Sequence, residues 1–308
     1  MRQSRANVSK GKCVAGFGSA VVDVLMMTDE IILRGKNLVS HQIIQMGGVI
    51  PTALIVLSRL GIHTQLYTII GNDMLGDNLL SILEKEGVDT NHIIKNPAMT
   101  TPFATVIIQK ESRTIFYSTR EFARQVHPEY ATTLTPHAPF LLVDGHNSHM
   151  AQEFIRRAHA QKTQVLLDLG LPKPGLDQLI PIADTIIVPG AYWKTLKEKD
   201  PEHIAKDLLT RGPTTVVLTM EDRGCLVATK EVFFHQPSYR VTAVDTNGVG
   251  DVFFGAFTYG LANKWPINKT TQFATAAAAL SCTKVGKDEK IPRSEKEVWD
   301  FTKNNPML

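Results

Sequence analysis

The sequence predicts an α/β fold with a mainly parallel central sheet, on three observations. Short apolar runs alternate with helical-period segments almost from end to end, the pattern of strands covered by helices on both faces. Several of the helical segments close on a glycine or a proline, as a helix end should. Two stretches, 39–46 and 103–119, break the rhythm with β-rich patterning and no neighbouring helix.

In chain order, Val14–Phe17 is the first strand, followed by a helix over Pro51–Leu60 that stops at Gly61. Gln65–Ile70 is the next strand of the main sheet, and Asn78–Glu86 the next helix, stopped by Gly87. Phe140–Val143, Gln164–Leu167, Thr185–Val188 and Thr215–Leu218 continue the strands, with helices over Ala151–Ala160 and Pro201–Arg211 between them. The last third is helical: Gly250–Ala262, Lys269–Cys282 with an alanine cluster at 274–279, and Ser294–Thr302. The small side chains of that cluster allow close approach, either of a neighbouring helix or of a flat ligand. The second β-rich stretch reads as a hairpin, Phe103–Ile108 against Thr114–Tyr117, turned by residues 110–113. With segment 24–46, the stretch 101–122 forms either a small sheet standing off the main body as a lid or an antiparallel edge of the main sheet. No repeat or Pro/Ser-rich linker divides the 308 residues, so one folding unit with a lid is expected, with residues 1–11 flexible.

Composition narrows the function classes. A net charge of +3 is too small an excess to argue for nucleic acid, and the basic clusters at 10–12 and 284–290 read as solvated ends. Three cysteines, Cys13, Cys225 and Cys282, are far apart and odd in number, against a disulfide framework or zinc site and in favour of a reducing cytoplasm. The polar first ten residues and the interrupted apolar segments give no signal peptide and no membrane span.

The densest chemistry is Asp245-Thr246-Asn247-Gly248-Val249-Gly250-Asp251, running into the apolar Val252–Phe257. Glycines at the start of a helix leave backbone N–H groups free and positive, a seat for an anion. Asp251 follows directly, placed to take a proton from an attacking hydroxyl, and the pairing points to phosphoryl transfer. No GxxxxGK[ST] loop occurs, and Gly16-Phe17-Gly18 lacks the third glycine and the helix opening of a dinucleotide fingerprint. Asp23, among Val21, Val22, Val24 and Leu25, needs a partner or ligand such as a sugar diol if buried, or else is an exposed cap or loop carboxylate. Gly47-Gly48 precedes a helix with Pro51 in its first turn, and Asp73 reads as a helix cap.

Together these residues resemble the ribokinase-like carbohydrate kinases, the phosphofructokinase B (PfkB) family, from about Val14 to Val298. DTNGVGDVFFGAF is similar to that family's C-terminal signature DTxGAGDxFxGA at every glycine and both aspartates, and Gly47–Gly61 resembles the N-terminal one. Thr52 and Val49 stand where many members carry asparagine, and Pro189-Gly190-Ala191-Tyr192-Trp193 lacks the family's Asn-x-x-Glu. Ser112–Tyr117 and Leu142–Asn147 look like the corresponding stretches of ketohexokinases and sulfofructose kinases.

The resemblance implies a three-layer ribokinase-like α/β/α fold with a small β-sheet lid. It implies a cytoplasmic enzyme transferring the γ-phosphate of ATP to a primary hydroxyl of a ketose or furanose-type sugar. In it Asp251 is the base, and Gly248, Val249 and Gly250 form the anion hole. Asp23, Gly47, Gly48 and Thr52 hold the sugar, and Arg113 reaches it from the lid unless it is an exposed turn arginine. Thr219, Glu221, Arg223, Gly224 and Cys282 lie by the nucleotide, although Cys282 also reads as an inert packed thiol. Mg2+ accompanies ATP, and a K+ site has Asp245 and Asn247 as candidate ligands. Lids with an apolar face would pair, giving a homodimer. A nucleoside kinase and a non-catalytic sugar- or nucleotide-binding pseudokinase remain the alternatives.

Overall fold

The computed structural model describes residues 12–31, 35–109, 112–118, 136–197 and 200–308; the terminal segment 1–11 and the rest of the lid segments lie outside the described residues. The chain runs β1 (Cys13–Phe17), β2 (Val21–Met27), β3 (His41–Gly47), α1 (Val49–Arg59), β4 (His63–Gly71), α2 (Met74–Lys85) and β5 (Ile93–Asn96). It continues through β6 (Phe103–Gln109), β7 (Ser112–Tyr117), β8 (Phe140–Val143), α3 (Ser148–Ala160), β9 (Gln164–Asp168), β10 (Thr185–Val188), the short α4 (Gly190–Trp193) and α5 (Pro201–Thr210). β11 (Thr215–Thr219), β12 (Cys225–Thr229) and β13 (Phe233–Gln236) precede the helices α6 (Val249–Ala262), α7 (Ile267–Cys282), α8 (Lys287–Lys290) and α9 (Glu295–Asn304).

The large sheet has the order β13-β12-β11-β10-β9-β8-β1-β4-β5, parallel except at β12 and β13. Its central strands β1, β8, β10 and β11 are apolar at nearly every position because both faces are covered. The period-two alternation divides them between two cores. Val14, Leu142, Leu166, Ile187 and Val217 face one core with α1, α6 and α7. Ala15, Val143, Leu167, Val188 and Leu218 face the other with α3 and α5. This is the predicted three-layer arrangement. The alanine cluster of α7 is spent on packing, with Ala274, Ala276 and Ala277 in the first core.

α2 and α3 begin earlier than the apolar periodicity suggests because polar caps precede them. The Asp73 carboxylate accepts from the Gly76 N–H at 2.8 Å and so caps α2, and Asn147 caps α3 through the Met150 N–H at 3.1 Å. The run into α6 is irregular between 241 and 247.

From β1 the chain adds β4 and β5 on one side and then returns to lay β8 on the other. The order therefore reverses between β1 and β8, where an open α/β sheet parts above its carboxyl edge to admit a ligand. The small sheet, β3-β2-β6-β7, is separate from the main one, so the reading of the ribbons as an antiparallel edge does not hold. Its core strand β2 comes from the Val21–Leu25 run around Asp23. β2 pairs antiparallel with β3 and parallel with β6, and β6 pairs antiparallel with β7.

Candidate active site

Gly248 caps α6 at φ 76°, ψ 6°, in the left-handed region that favours glycine. A Cβ there would also stand 3.3 Å from Lys287 Cε and 3.6 Å from Asp251 Oδ2. Val249, Gly250 and Asp251 form the first turn, whose N–H groups have no acceptor within the helix. A Cβ built on Gly250 meets nothing within 4 Å, so the space beside this turn at Gly250 is open. An anion of phosphate size fits the charge and the geometry of this helix start. The turn before it is held by the Asn247 N–H, which donates to Asp245 Oδ1 at 2.8 Å.

Asp251 is half-buried behind the cap. Desolvation raises its carboxyl above the ordinary aspartate range, and the charge of Asp23 adds to that, while Lys287, Thr52 and Lys290 oppose it. α1 delivers Thr52 to this point because Gly255 lets α6 lie against it; a Cβ at 255 would come within 2.7 Å of the Ala53 carbonyl oxygen.

Asp23 lies on β2, 9% exposed, its Oδ2 3.5 Å from Lys287 Nζ. The Lys287 ammonium donates to Thr52 Oγ1 at 3.0 Å, and the Thr52 hydroxyl donates to the Gly48 carbonyl at 2.8 Å. The Asp23 carboxylate rests on the backbone of β3, since a Cβ on Gly47 would come within 2.2 Å of its Oδ1. Gly48 has φ 95°, and a Cβ there would meet the Ser19 carbonyl oxygen at 2.3 Å. The structure thus brings Asp23, Gly47, Gly48, Thr52, Gly248 and Asp251 together. Arg113 falls within β7, opposite Ile108, rather than at the hairpin tip, and its side chain lies outside the described residues.

The basic cluster 284–290 is not a solvated end. Lys287 and Lys290 are 8% and 2% exposed, because acids and carbonyls of the site satisfy their ammonium groups. Lys290 Nζ donates to the Asp245 carbonyl at 2.7 Å and the Asn247 carbonyl at 2.6 Å, and stands 3.1 Å from Asp245 Oδ2. Burial lowers its pKa, and the Asp245 carboxylate opposes that. The Lys-x-x-Lys spacing, which puts both residues on one face of a helical turn, was the available signal.

Two carboxylates at strand ends were also missed. Asp144, after β8, accepts from the Ser19 N–H at 3.0 Å and so joins the β1 and β8 ends across the order reversal. Its carboxyl is held below the usual range: burial pushes it up, but His146 and Lys173 outweigh that. Tyr117 of the small sheet meets His146 Nε2 through its hydroxyl at 2.8 Å, a tie between lid and body. Asp168 ends β9 and is pushed up to about 7, first by burial and then by the charge of Asp251. Both lie at the carboxyl edge of the sheet, where ligands bind.

On the other side of the cleft, Thr219 ends β11 and its carbonyl accepts from Trp193 Nε1 at 3.1 Å. Glu221 and Arg223 are exposed on the following turn, and Lys194 pairs with Glu221 at 2.6 Å. Gly224 closes that turn. The Cys282 carbonyl accepts from the Val244 N–H at 2.8 Å, and burial raises the pKa of the Cys282 thiol.

Comparison with known proteins bears on this geometry. The model of the pfkB family of carbohydrate kinases matches residues 12–293. A deoxyribokinase of Salmonella typhi is 25% identical over 92% of this chain and 96% of its own, and a ribokinase of Haemophilus influenzae is 23% identical over 94% and 98%. Among solved structures, a ribokinase of Thermotoga maritima superposes with a TM-score of 0.82 at 24% identity, over 95% of this chain and 100% of that one. An Arabidopsis thaliana ribokinase complexed with ribose and ATP has a TM-score of 0.81 at 17% identity, covering 94% and 98%. A ribokinase II-type structure from Escherichia coli, in complex with ATP and Mg2+, has a TM-score of 0.84 at 20% identity, covering 96% and 99%.

Proposed function

Because the chain belongs to the pfkB family of carbohydrate kinases, we propose that it transfers the γ-phosphate of ATP to a primary hydroxyl of a ketose or furanose-type sugar. The observation that carries this reading is Asp251, a carboxylate in the first turn of a glycine-capped helix with open space beside that turn at Gly250. Asp251 takes the hydroxyl proton as the oxygen attacks the γ-phosphorus. The N–H groups at Gly248, Val249 and Gly250 hold the charge on the transferring phosphoryl group, and ADP leaves. Asp23, the Gly47–Gly48 turn and Thr52 hold sugar hydroxyls, and Lys287 keeps the paired carboxylates from repelling each other. The nucleotide lies along Thr219–Gly224 toward the end of α7. The kinase body and lid act as one domain.

Among the described residues no group of three metal-binding side chains converges. That suits Mg2+, which binds through one or two carboxylates together with substrate phosphates and water. Asp168, a buried carboxyl close enough to Asp251 to feel its charge, would be the residue to hold such an ion. When bound, Mg2+ neutralises phosphate charge. Free cysteines suit a cytoplasmic setting, and no described helix is long and apolar enough to cross a membrane.

ATP consumption measured against a panel of fructose, other ketoses, ribose, deoxyribose and nucleosides tests the reading. Turnover with a ketose or furanose-type sugar supports it; turnover with nucleosides alone, or none, overturns it.

The raised carboxyl of Asp251 sets the pH dependence. A base must be ionised, so the acid limb of kcat/KM falls above the ordinary aspartate value. Lys287→Met removes a positive charge that lowers this pKa, and the limb moves further up by about 1–3 units. A limb that stays in place in a pH–rate profile removes Lys287 from the environment of the base.

The outer face of the lid carries Ile44, Val24, Thr105 and Phe116 in one cross-strand row, with Ile44 and Phe116 55% and 60% exposed. Such a face gains by pairing with a second copy. A homodimer through the lids is expected by light scattering, and a monomeric mass at assay concentration overturns it.

A further inference from the structure

The oxygens expected to ligate a monovalent cation already have one. Asp245 O, Asn247 O and Asp245 Oδ2 converge on Lys290 Nζ at 2.7, 2.6 and 3.1 Å. An ammonium group has three protons, and these three acceptors match them. Lys290 is 2% exposed and enters from α8, which also supplies Lys287. A K+ ion cannot share this point, since its ligand oxygens and its positive charge are both taken. The residues therefore do not fit a K+ site built on Asp245 and Asn247.

The position of the ammonium has a consequence for the anion hole. The C=O and N–H of a trans peptide point to opposite sides. Anchoring the Asn247 carbonyl on Lys290 thereby fixes the direction of the Gly248 N–H, one of the donors at the cap. The Asn247 N–H bond to Asp245 Oδ1 locks the same turn from the other side. Resting on the phosphotransfer reading of this helix start, we propose that Lys290 is a tethered cation that positions the anion-binding turn, so that the protein works without an added monovalent cation. Lys290 is a positioning residue: it acts on the transferring phosphate through residues 245–248.

The test compares the parent chain, Lys290→Ala and Lys290→Met in buffer whose only monovalent cation is tetramethylammonium, with KCl or methylammonium chloride then added. Turnover of the parent chain is expected to be the same with and without K+. Lys290→Ala loses about 10²-fold in kcat, the scale of one misdirected anion-hole donor, and recovers at least about tenfold with K+ or methylammonium in the vacated space, while Lys290→Met, which fills that space without charge, does not recover. Thermal unfolding gives a second readout: added K+ raises the Tm of Lys290→Ala saturably and leaves the other two unchanged. K+ activation of the parent chain, or full turnover by Lys290→Met, overturns the proposal. If no acceptor is phosphorylated, the kinase reading fails, and the Tm response still decides the role of Lys290: a K+-dependent rise confined to Lys290→Ala upholds it, and the absence of one overturns it.

Discussion

Asp251→Asn lowers kcat by about 10²–10⁴-fold, the usual worth of a positioned general base, while the fold and the affinity for ATP are retained. The geometry supports both halves. Asparagine has the same shape and sits in the same first turn of α6, so the anion seat keeps its donors. It cannot accept the hydroxyl proton, so the chemical step slows without a matching change in binding. The substitution also removes a charge that the fold tolerates poorly. The carboxyl of Asp251 is raised by desolvation and by Asp23, so at neutral pH its ionised form costs folding free energy, and the neutral amide does not. A Tm at or above that of the parent chain is therefore expected, with the Asp168 carboxyl falling once its neighbour's charge is gone. Steady-state kinetics with thermal unfolding reads all of this. Near-parental kcat would remove Asp251 from the role of base.

Gly250→Val separates the seat from the scaffold. A Cβ at 250 meets nothing within 4 Å, so the valine side chain projects into open space and disturbs no packed neighbour. Helix propensity favours valine over glycine by roughly 0.3–0.5 kcal/mol, and Tm is expected to hold or rise slightly. The open space is the proposed phosphate position, and a branched side chain there keeps the transferring group from the N–H donors. The expected loss is about 10²–10³-fold in kcat/KM, comparable to removing one oxyanion donor. Unchanged kinetics would place the phosphate elsewhere.

The fold was legible in the sequence because strands buried on both faces read as uninterrupted apolar runs, as at Thr185–Val188 and Thr215–Thr219. The catalytic turn was legible because its chemistry is contiguous: cap, anion seat and carboxylate fall within residues 245–251. β12 and β13 were missed because they form a short antiparallel edge with no helical segment between them to mark the crossover. β2 was missed because Asp23 interrupts its apolar run, and the partner that lets a carboxylate sit there, Lys287, is 264 positions away along the chain. The lysines were the largest loss. Whether a lysine is solvated or buried depends on its partners, and Lys287 meets Thr52, 235 positions away. Asp168 was unremarkable singly and Asp144 stood out only within the Leu142–Asn147 stretch; their common placement follows from the strand order, which lays β8 beside β1 and β9 beside β8.

That long reach between Lys287 and α1 also governs when the site forms. The Lys287 backbone N–H donates to Gln45 Oε1 at 2.9 Å across 242 positions, and its ammonium reaches Thr52 across 235. Contacts of such separation close some of the longest loops in the chain and come late, after local helices and neighbouring strands have assembled. During synthesis the lysines emerge near the end, when the main sheet is already available to receive them. Phosphotransfer is thus the last property the folding chain acquires, and recovery of turnover lags recovery of secondary structure in refolding.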